Sequence, residues 1–271
     1  MDDTADLHMH SFHSDGVASP TDLAALARAA GLRAVSLTDH DTMAGWAEYE
    51  AACRQAGLEA IPGVELSARS GEREAHILGY CVDARSDALL DALEVFRSSR
   101  ERRAEQMVDR LHDLGIPLTM EEVRRVAGLG AIGRPHVAEA LVKAGLVTSY
   151  NEAFRRYLRV GCPAYVAKVR LDVDEAVEII HGAGGLAVLA HPSTHFQERD
   201  ISRMTGQGLD GLEVTHPRHS PEETRRFSEI GVRNGLFLTG GSDYHGGARG
   251  EAEVGRPRVS YDLVAIMKER L

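Results

Sequence analysis

The stretch "DLHMHSFHSDG", residues 6–16, puts three histidines and two aspartates within eleven residues. Read as a strand entering a turn, it places His8 and His10 on one face, because alternate strand residues point the same way. Two imidazoles do not complete a metal site. The question is whether other strands bring partners to them.

They do. Short apolar runs recur along the chain: "AVSLTDH" (34–40), "AIPGVELS" (60–67), "AHILGYCV" (75–82), "LAVLAH" (186–191), "GLEV" (211–214) and "LFLTGGSD" (236–243). Between several of them lie helical patterns, at 20–30 (a proline start with Thr21 as a candidate cap), 43–56, 173–183 and 220–234. This alternation predicts an α/β fold with a largely parallel sheet, open or barrel-like. His40, Glu65, His76, His191, Asp243 and His245 all fall within or at the ends of these runs. In α/β folds, functional groups gather at the carboxyl ends of strands. One histidine in an apolar strand is ordinarily satisfied by a backbone partner. So many imidazoles and carboxylates together would cost several kcal/mol to bury unless they share a compensating charge, on the order given for unpaired polar groups. Histidine and carboxylate donors without cysteine suit Mn²⁺, with Fe²⁺ or Zn²⁺ as alternatives. The candidates outnumber one coordination sphere, which points to two or three ions.

The alternation fails between 86 and 170. There "DALLDALEVFRSSRERRAEQMVDRLHDLG", "TMEEVRRVAG", "GRPHVAEALVKAG" and "SYNEAFRRYL" read as helices. The expected organisation is a barrel domain from 1–85 and 171–271, with residues 86–170 as a helical insertion covering the active site.

Bulk properties narrow the function. The 271 residues are 43% hydrophobic, enough for a substantial core. No apolar run reaches the roughly eighteen residues of a membrane span, and the acidic start is unlike a signal peptide. The expected location is cytoplasmic, away from membranes. A net charge of −10 argues against a duplex-DNA track, though not against a small phosphorylated ligand. Cys53, Cys81 and Cys162 are odd in number and widely spaced, and read as small buried residues rather than a disulfide set.

Taken in order, "DLHMHSFHSDG", "LTDHDT", "GVELS", "AHILGY", "AHP" and "GSDYHG" resemble the PHP (polymerase and histidinol phosphatase) family over nearly the whole chain. The resemblance implies a distorted (β/α)7 barrel with an all-helical insertion. "GRPHVAEALV" is similar to the branch of nucleoside 3′,5′-bisphosphate phosphatases and 5′→3′ exoribonucleases. By resemblance, one metal takes His8, His10, Glu65 and Asp243. A second shares Glu65 as a bridge and adds His76 and His191. A third takes Asp15, His40 and His245, where some family members carry a histidine in place of Asp15. Glu65, His191 and Asp243 then serve catalysis, and a metal-bridging hydroxide attacks phosphorus in line.

Arg134, His136 and Lys168 are candidates to hold substrate phosphate. His219, after "GLEV", is a candidate acid or phosphate donor. His195 and His216 are weaker candidates, His13 is a turn residue, and His112 and His181 are structural. Asp39, Asp41 and Asp6 are candidates to orient an imidazole, or else bond strand ends.

The implied activity is metal-dependent hydrolysis of phosphate monoesters of small nucleotides, foremost the 3′-phosphate of nucleoside 3′,5′-bisphosphates. The related alternative is 5′→3′ exoribonuclease action on short RNA. A metal-dependent amidohydrolase is the alternative of another class, disfavoured by "TDHDT", "SDYH" and the lack of an evident carbamylated lysine. A non-catalytic metal-binding domain is disfavoured because all nine ligand candidates are present.

Overall fold

The computed structural model describes residues 3–128, 132–167, 171–192, 196–246 and 252–271. The chain divides into two compact units, Met1–Ala92 with Arg170–Leu271, and Leu93–Val169.

The first unit is built on a sheet. Its strands are β1 (Thr4–Asp6), β2 (Ala34–Leu37), β3 (Glu59–Ser70), β4 (Arg73–Tyr80), β5 (Leu171–Asp172), β6 (Leu186–Leu189), β7 (Gly211–Thr215), β8 (Phe237–Gly240) and β9 (Val259–Ser260). The order is β8-β7-β6-β4-β3-β2-β1-β9, with β5 added to β3. β1, β2 and β3 run parallel, as do β6, β7 and β8. β4 is antiparallel to both β3 and β6, because the two-residue turn at Gly71 and Glu72 makes β3 and β4 a hairpin. That reversal, with β9 antiparallel to β1, distorts an otherwise β/α barrel.

The sheet closes beyond the ends of β1 and β8. Leu7 N–H donates to Gly240 O at 3.4 Å, Asp243 N–H to His8 O at 2.8 Å, and His10 N–H to Tyr244 O at 2.9 Å. His8 and His10 therefore lie just past the short β1 rather than inside it. Closure needs Gly241: a Cβ there would stand 2.5 Å from both the Cβ and the backbone nitrogen of His8.

β2 is buried along its whole length, as a strand covered on both faces must be. One apolar cluster gathers Ala5, Ala34, Ile61, Leu78, Tyr80, Val188 and Phe237 from six strands. A second lies under two helices, α1 (Pro20–Ala29) and α2 (Trp46–Ala56), around Leu23, Val35, Leu37 and Tyr49. Ser19, not Thr21, caps α1: it accepts from Asp22 N–H, Asp22 reaches back to it, and Pro20 opens the first turn. Thr21 Oγ1 instead donates to Glu48 of α2.

The second unit has its own core. It contains most of α3 (Asp87–Asp113), then α4 (Met120–Ala127), α5 (Arg134–Lys143), α6 (Tyr150–Ala153) and a π-helical turn at Phe154–Leu158. Met107, Leu111, Val123, Val137, Leu141 and Leu158 are buried together. The chain then returns to the sheet, adding α7 (Val173–Gly182), α8 (Glu198–Gly206), α9 (Pro221–Arg233) and α10 (Asp262–Glu269). Among the described residues, no helix is long and apolar enough to cross a membrane.

Substituting Gly241→Ala forces the β1 and β8 extensions apart. The expected loss of stability is about 1–3 kcal/mol, the range for overpacking. Chemical denaturation of the metal-free protein checks it, and an unchanged midpoint would refute the close approach.

Candidate metal centre

Glu65 lies in the middle of β3 and is completely buried. Its two oxygens divide five imidazoles between them. Oε1 is 2.8 Å from His76 Nδ1 and 3.0 Å from His191 Nε2. Oε2 is 3.3 Å from His8 Nε2, 3.2 Å from His10 Nε2 and 3.2 Å from His40 Nδ1. Asp243 Oδ1 approaches the same two nitrogens of His8 and His10, at 3.4 and 3.3 Å. Asp15 Oδ1 is 3.1 Å from His245 Nε2 and 4.0 Å from His40 Nε2.

All nine sequence candidates thus meet in one place, although they span residues 8 to 245. Among the described residues, four groups could hold an ion: His10, Asp15, His40 and His245; His8, His10 and Asp243; His8, Glu65 and His191; His40, Glu65 and His76. The grouping differs from the expected one in that His76 falls with His40, and His191 with His8, each about Glu65.

The donors fit metal ions better than they fit one another. Two ligands about 2.1 Å from an ion, subtending about 90–110°, stand about 3.0–3.4 Å apart. The nitrogens of His8 and His10 are 3.1 Å apart, and their contacts with Glu65 and Asp243 fall in the same range. His10 Nδ1 and His40 Nδ1 are buried and make no hydrogen bond. The His40 nitrogen faces a carboxylate at 3.2 Å yet lacks hydrogen-bond alignment, as expected of a lone pair aimed at a shared point.

The electrostatics agree. Burial alone would lower the His10 imidazole, but Asp243 and Glu65 raise it to about 10. His8 is also raised against its burial, by Glu213, Glu65 and Asp243. Burial lowers His40 to about 3 and also lowers His191. Despite burial, the surrounding imidazoles hold Asp15, Glu65 and Asp243 below the ordinary carboxylate range. Without metal, protons on His8 and His10 supply part of the positive charge these carboxylates require.

Strain and side-chain ties fix the donors. Asp41, His191 and Asp243 have φ of 53°, 24° and 51°, uncommon for residues other than glycine. Asp39 accepts from Ser11 N–H, Ser11 Oγ and Ser14 Oγ, anchoring the turn that carries Asp15. Asp41 accepts from Ser67 N–H and Ser67 Oγ. Asp6 accepts from the amides of His8, Ser242 and Gly255. In these contacts the three aspartates bond backbone and hydroxyl groups of neighbouring segments.

His219 has both ring nitrogens against carbonyls, Val214 O at 3.0 Å and Pro192 O at 3.1 Å, so it ties two loops together. As placed, it has no ring nitrogen to offer a leaving group. His216 is buried and lies 3.1 Å from Asp243 Oδ2, to which Arg218 also donates at 2.9 Å. Arg134 and His136 open α5 in the helical unit. The Arg134 guanidinium lies over the Tyr165 ring, and His136 Nδ1 accepts from Gly133 N–H. Lys168 and His195 lie outside the described residues. His13 belongs to none of the four groups. His112 meets Leu118 O, and His181 meets Asp210.

Sequence reasoning missed two residues. Arg218 carries no signal that separates it from any loop arginine. Glu213 does: it is a carboxylate inside the apolar run "GLEV", just as Glu65 is inside "GVELS".

A model of the PHP domain matches residues 6–160. A 3′,5′-nucleoside bisphosphate phosphatase of Chromobacterium violaceum is 36% identical over 256 residues, covering 92% of this chain and 90% of that protein. A 5′-3′ exoribonuclease of Haemophilus influenzae is 36% identical over 245 residues, covering 89% of each. Among solved structures, one described as a metal-dependent phosphoesterase, from Bifidobacterium adolescentis, has a TM-score of 0.87 at 33% identity, covering 98% of this chain and 96% of its own. Another from Chromobacterium violaceum, described as an amidohydrolase with bound sulfate and no metal, has a TM-score of 0.80 at 36% identity, covering 93% and 89%. With a family model matching more than half its length and relatives 36% identical over about nine-tenths of it, the chain belongs to the PHP domain family.

Proposed function

We propose that the chain is a metal-dependent phosphoesterase that removes phosphate from small nucleotides, foremost the 3′-phosphate of nucleoside 3′,5′-bisphosphates. The observation that carries this reading is the convergence of five imidazoles on the two oxygens of Glu65. The Chromobacterium relative, named for that activity, supports the choice of substrate.

His8, His10, Glu65 and Asp243 hold one ion. Glu65, His76 and His191 hold a second, because both rings meet the same oxygen, Oε1, and Asp15, His40 and His245 a third. Mn²⁺ is the first choice for this donor set. Divalent ions bound there acidify water and neutralise phosphoryl oxygens, the two requirements of monoester hydrolysis. Glu65 turns Oε1 to His76 and His191 and Oε2 to His8, His10 and His40, so it would serve the first two ions together. Asp243 presents Oδ1 to the histidines, while Oδ2 holds His216 and Arg218. Arg218 is otherwise exposed, so the donors it does not spend on Asp243 face solvent and can meet phosphoryl oxygens. Arg134 and His136, at the positive end of α5, are the proposed holders of the substrate's other phosphate.

Release of phosphate from adenosine 3′,5′-bisphosphate, with Mn²⁺ and after chelation, tests the reading. Equal release in both conditions would overturn it. The second reading, 5′→3′ exoribonuclease action, is favoured by the equal identity to the Haemophilus relative. A nucleotide ladder from a 5′-phosphorylated oligoribonucleotide identifies it. Amide turnover without phosphate release would instead assign an amidohydrolase.

Glu65→Ala removes the bridge, so two ions are expected to leave together, with activity falling by orders of magnitude. Elemental analysis showing unchanged metal content would contradict the bridge.

The raised His10 has a consequence for pH. Its proton stabilises the metal-free fold fully below the unfolded value of 6.5, and that contribution is lost as pH rises through about 10. Metal binding must displace the proton. Adding Mn²⁺ to chelator-treated protein in weak buffer near pH 8 is therefore expected to release protons, and apparent affinity to rise with pH towards 10. Uptake without proton release would exclude protonated His10.

A further inference from the structure

Glu213 lies on β7, which carries none of the nine candidate ligands, and it is completely buried. Its two oxygens face two of those ligands. Oε1 is 2.9 Å from His8 Nδ1, and Oε2 accepts the backbone N–H of His191 at 2.7 Å. His8 turns its other nitrogen, Nε2, towards His10, Glu65 and Asp243. His191 sits at φ 24° with its Nε2 on Glu65.

We propose that Glu213 is the positioning residue of the centre, fixing the His8 tautomer and the strained His191 backbone with one carboxylate. The inference rests on the metal-dependent reading. An ionised carboxylate only accepts hydrogen bonds. Beside it, His8 Nδ1 must carry the proton, which leaves the Nε2 lone pair free for a metal. The second oxygen holds a backbone conformation that a residue other than glycine rarely adopts unaided. A purely packing side chain of this shape would do neither.

A glutamine separates the two cases, because it has the same shape and one acceptor fewer. In Glu213→Gln, the side-chain NH₂ faces either the His191 N–H or His8 Nδ1. Facing His8, it can be satisfied only if Nδ1 accepts. The proton then moves to Nε2 and points at the metal.

The experiment compares Mn²⁺ and Co²⁺ binding to chelator-treated wild type and Glu213→Gln, by titration and by the Co²⁺ absorption spectrum. A match between their metal-free melting curves establishes that the variant is folded. The expected result is an affinity loss of about 10–100-fold, the usual cost of removing a partner behind a ligand histidine, confined to part of the metal complement and accompanied by a changed Co²⁺ spectrum. The ion assigned to Asp15, His40 and His245 keeps its affinity. Equal affinities and spectra in folded variant and wild type would overturn the proposal and leave the metal-dependent reading intact. A wild type that binds no metal would overturn both.

If the variant does not fold, the wild type still decides. In Zn²⁺-loaded protein, ¹⁵N–¹H correlation of the His8 ring is expected to place the proton on Nδ1. A proton on Nε2 would refute the assignment.

Discussion

A carboxylate with no solvent contact sits in the middle of five imidazoles, and the rest of the barrel is arranged around that fact. An isolated buried charge of this kind costs far more than a domain's net stability, so Glu65 must be neutralised where it stands. Hydrogen bonds alone would serve if the imidazoles donated to it. His191 Nε2 is at hydrogen-bond distance, 3.0 Å, but the nitrogens of His8 and His10 lie at ligand spacing from each other, and two buried ring nitrogens make no hydrogen bond at all. Such a cluster accommodates positive charge at its centre, supplied by ions or, without them, by protons on His8 and His10.

Holding this many imidazoles close together requires a stiff frame, because positive charge on one ring opposes charge on the next, as His8 opposes it on His10. The chain supplies stiffness by backbone ties rather than bulk. The extensions of β1 and β8 are joined by main-chain hydrogen bonds that run alongside His8, His10 and Asp243. Asp39 and Asp41 flank His40 and reach in opposite directions, one to the serines after His10 and the other to Ser67 beyond Glu65. His40 is thereby fixed between the two segments whose ligands it meets. The positive φ values at His191 and Asp243 are tolerated within this frame.

The parts of this arrangement legible in the sequence share a cause. Most proposed ligands are polar residues set in or beside an apolar run, and such residues stand out because burial makes them expensive; Asp15, in a polar turn, is marked only by the family resemblance. Glu213 obeys the same rule, and "GLEV" was open to the reading that identified Glu65 in "GVELS". What the pattern hides is direction and length. "AHILGYCV" has the composition of any barrel strand, and only its pairing shows β4 running antiparallel to both neighbours. β1 is three residues long because its extension pairs across the barrel seam rather than along a regular ladder. β5 and β9, of two residues each, fall below any periodic signal. The roles of Asp39 and Asp41 were ambiguous because a carboxylate beside a histidine can serve either the ring or a neighbouring amide, and only the serines opposite decide it.

The His219 ring shows how the same residue type acquires opposite duties within one barrel mouth. His216 and His219 leave the end of β7 three residues apart. His216 turns Nε2 to Asp243, so its ring lies against the centre. His219 turns both nitrogens to carbonyls, one of them Pro192 O, immediately after His191. A ring lodged between a carbonyl of β7 and one of the loop after β6 is a clasp, and the loop it closes is the one that keeps His191 on Glu65. Glu213 acts on His191 from the strand below through its backbone amide. The second face of Glu65 thus depends on β7 twice, although β7 contributes no candidate ligand of its own.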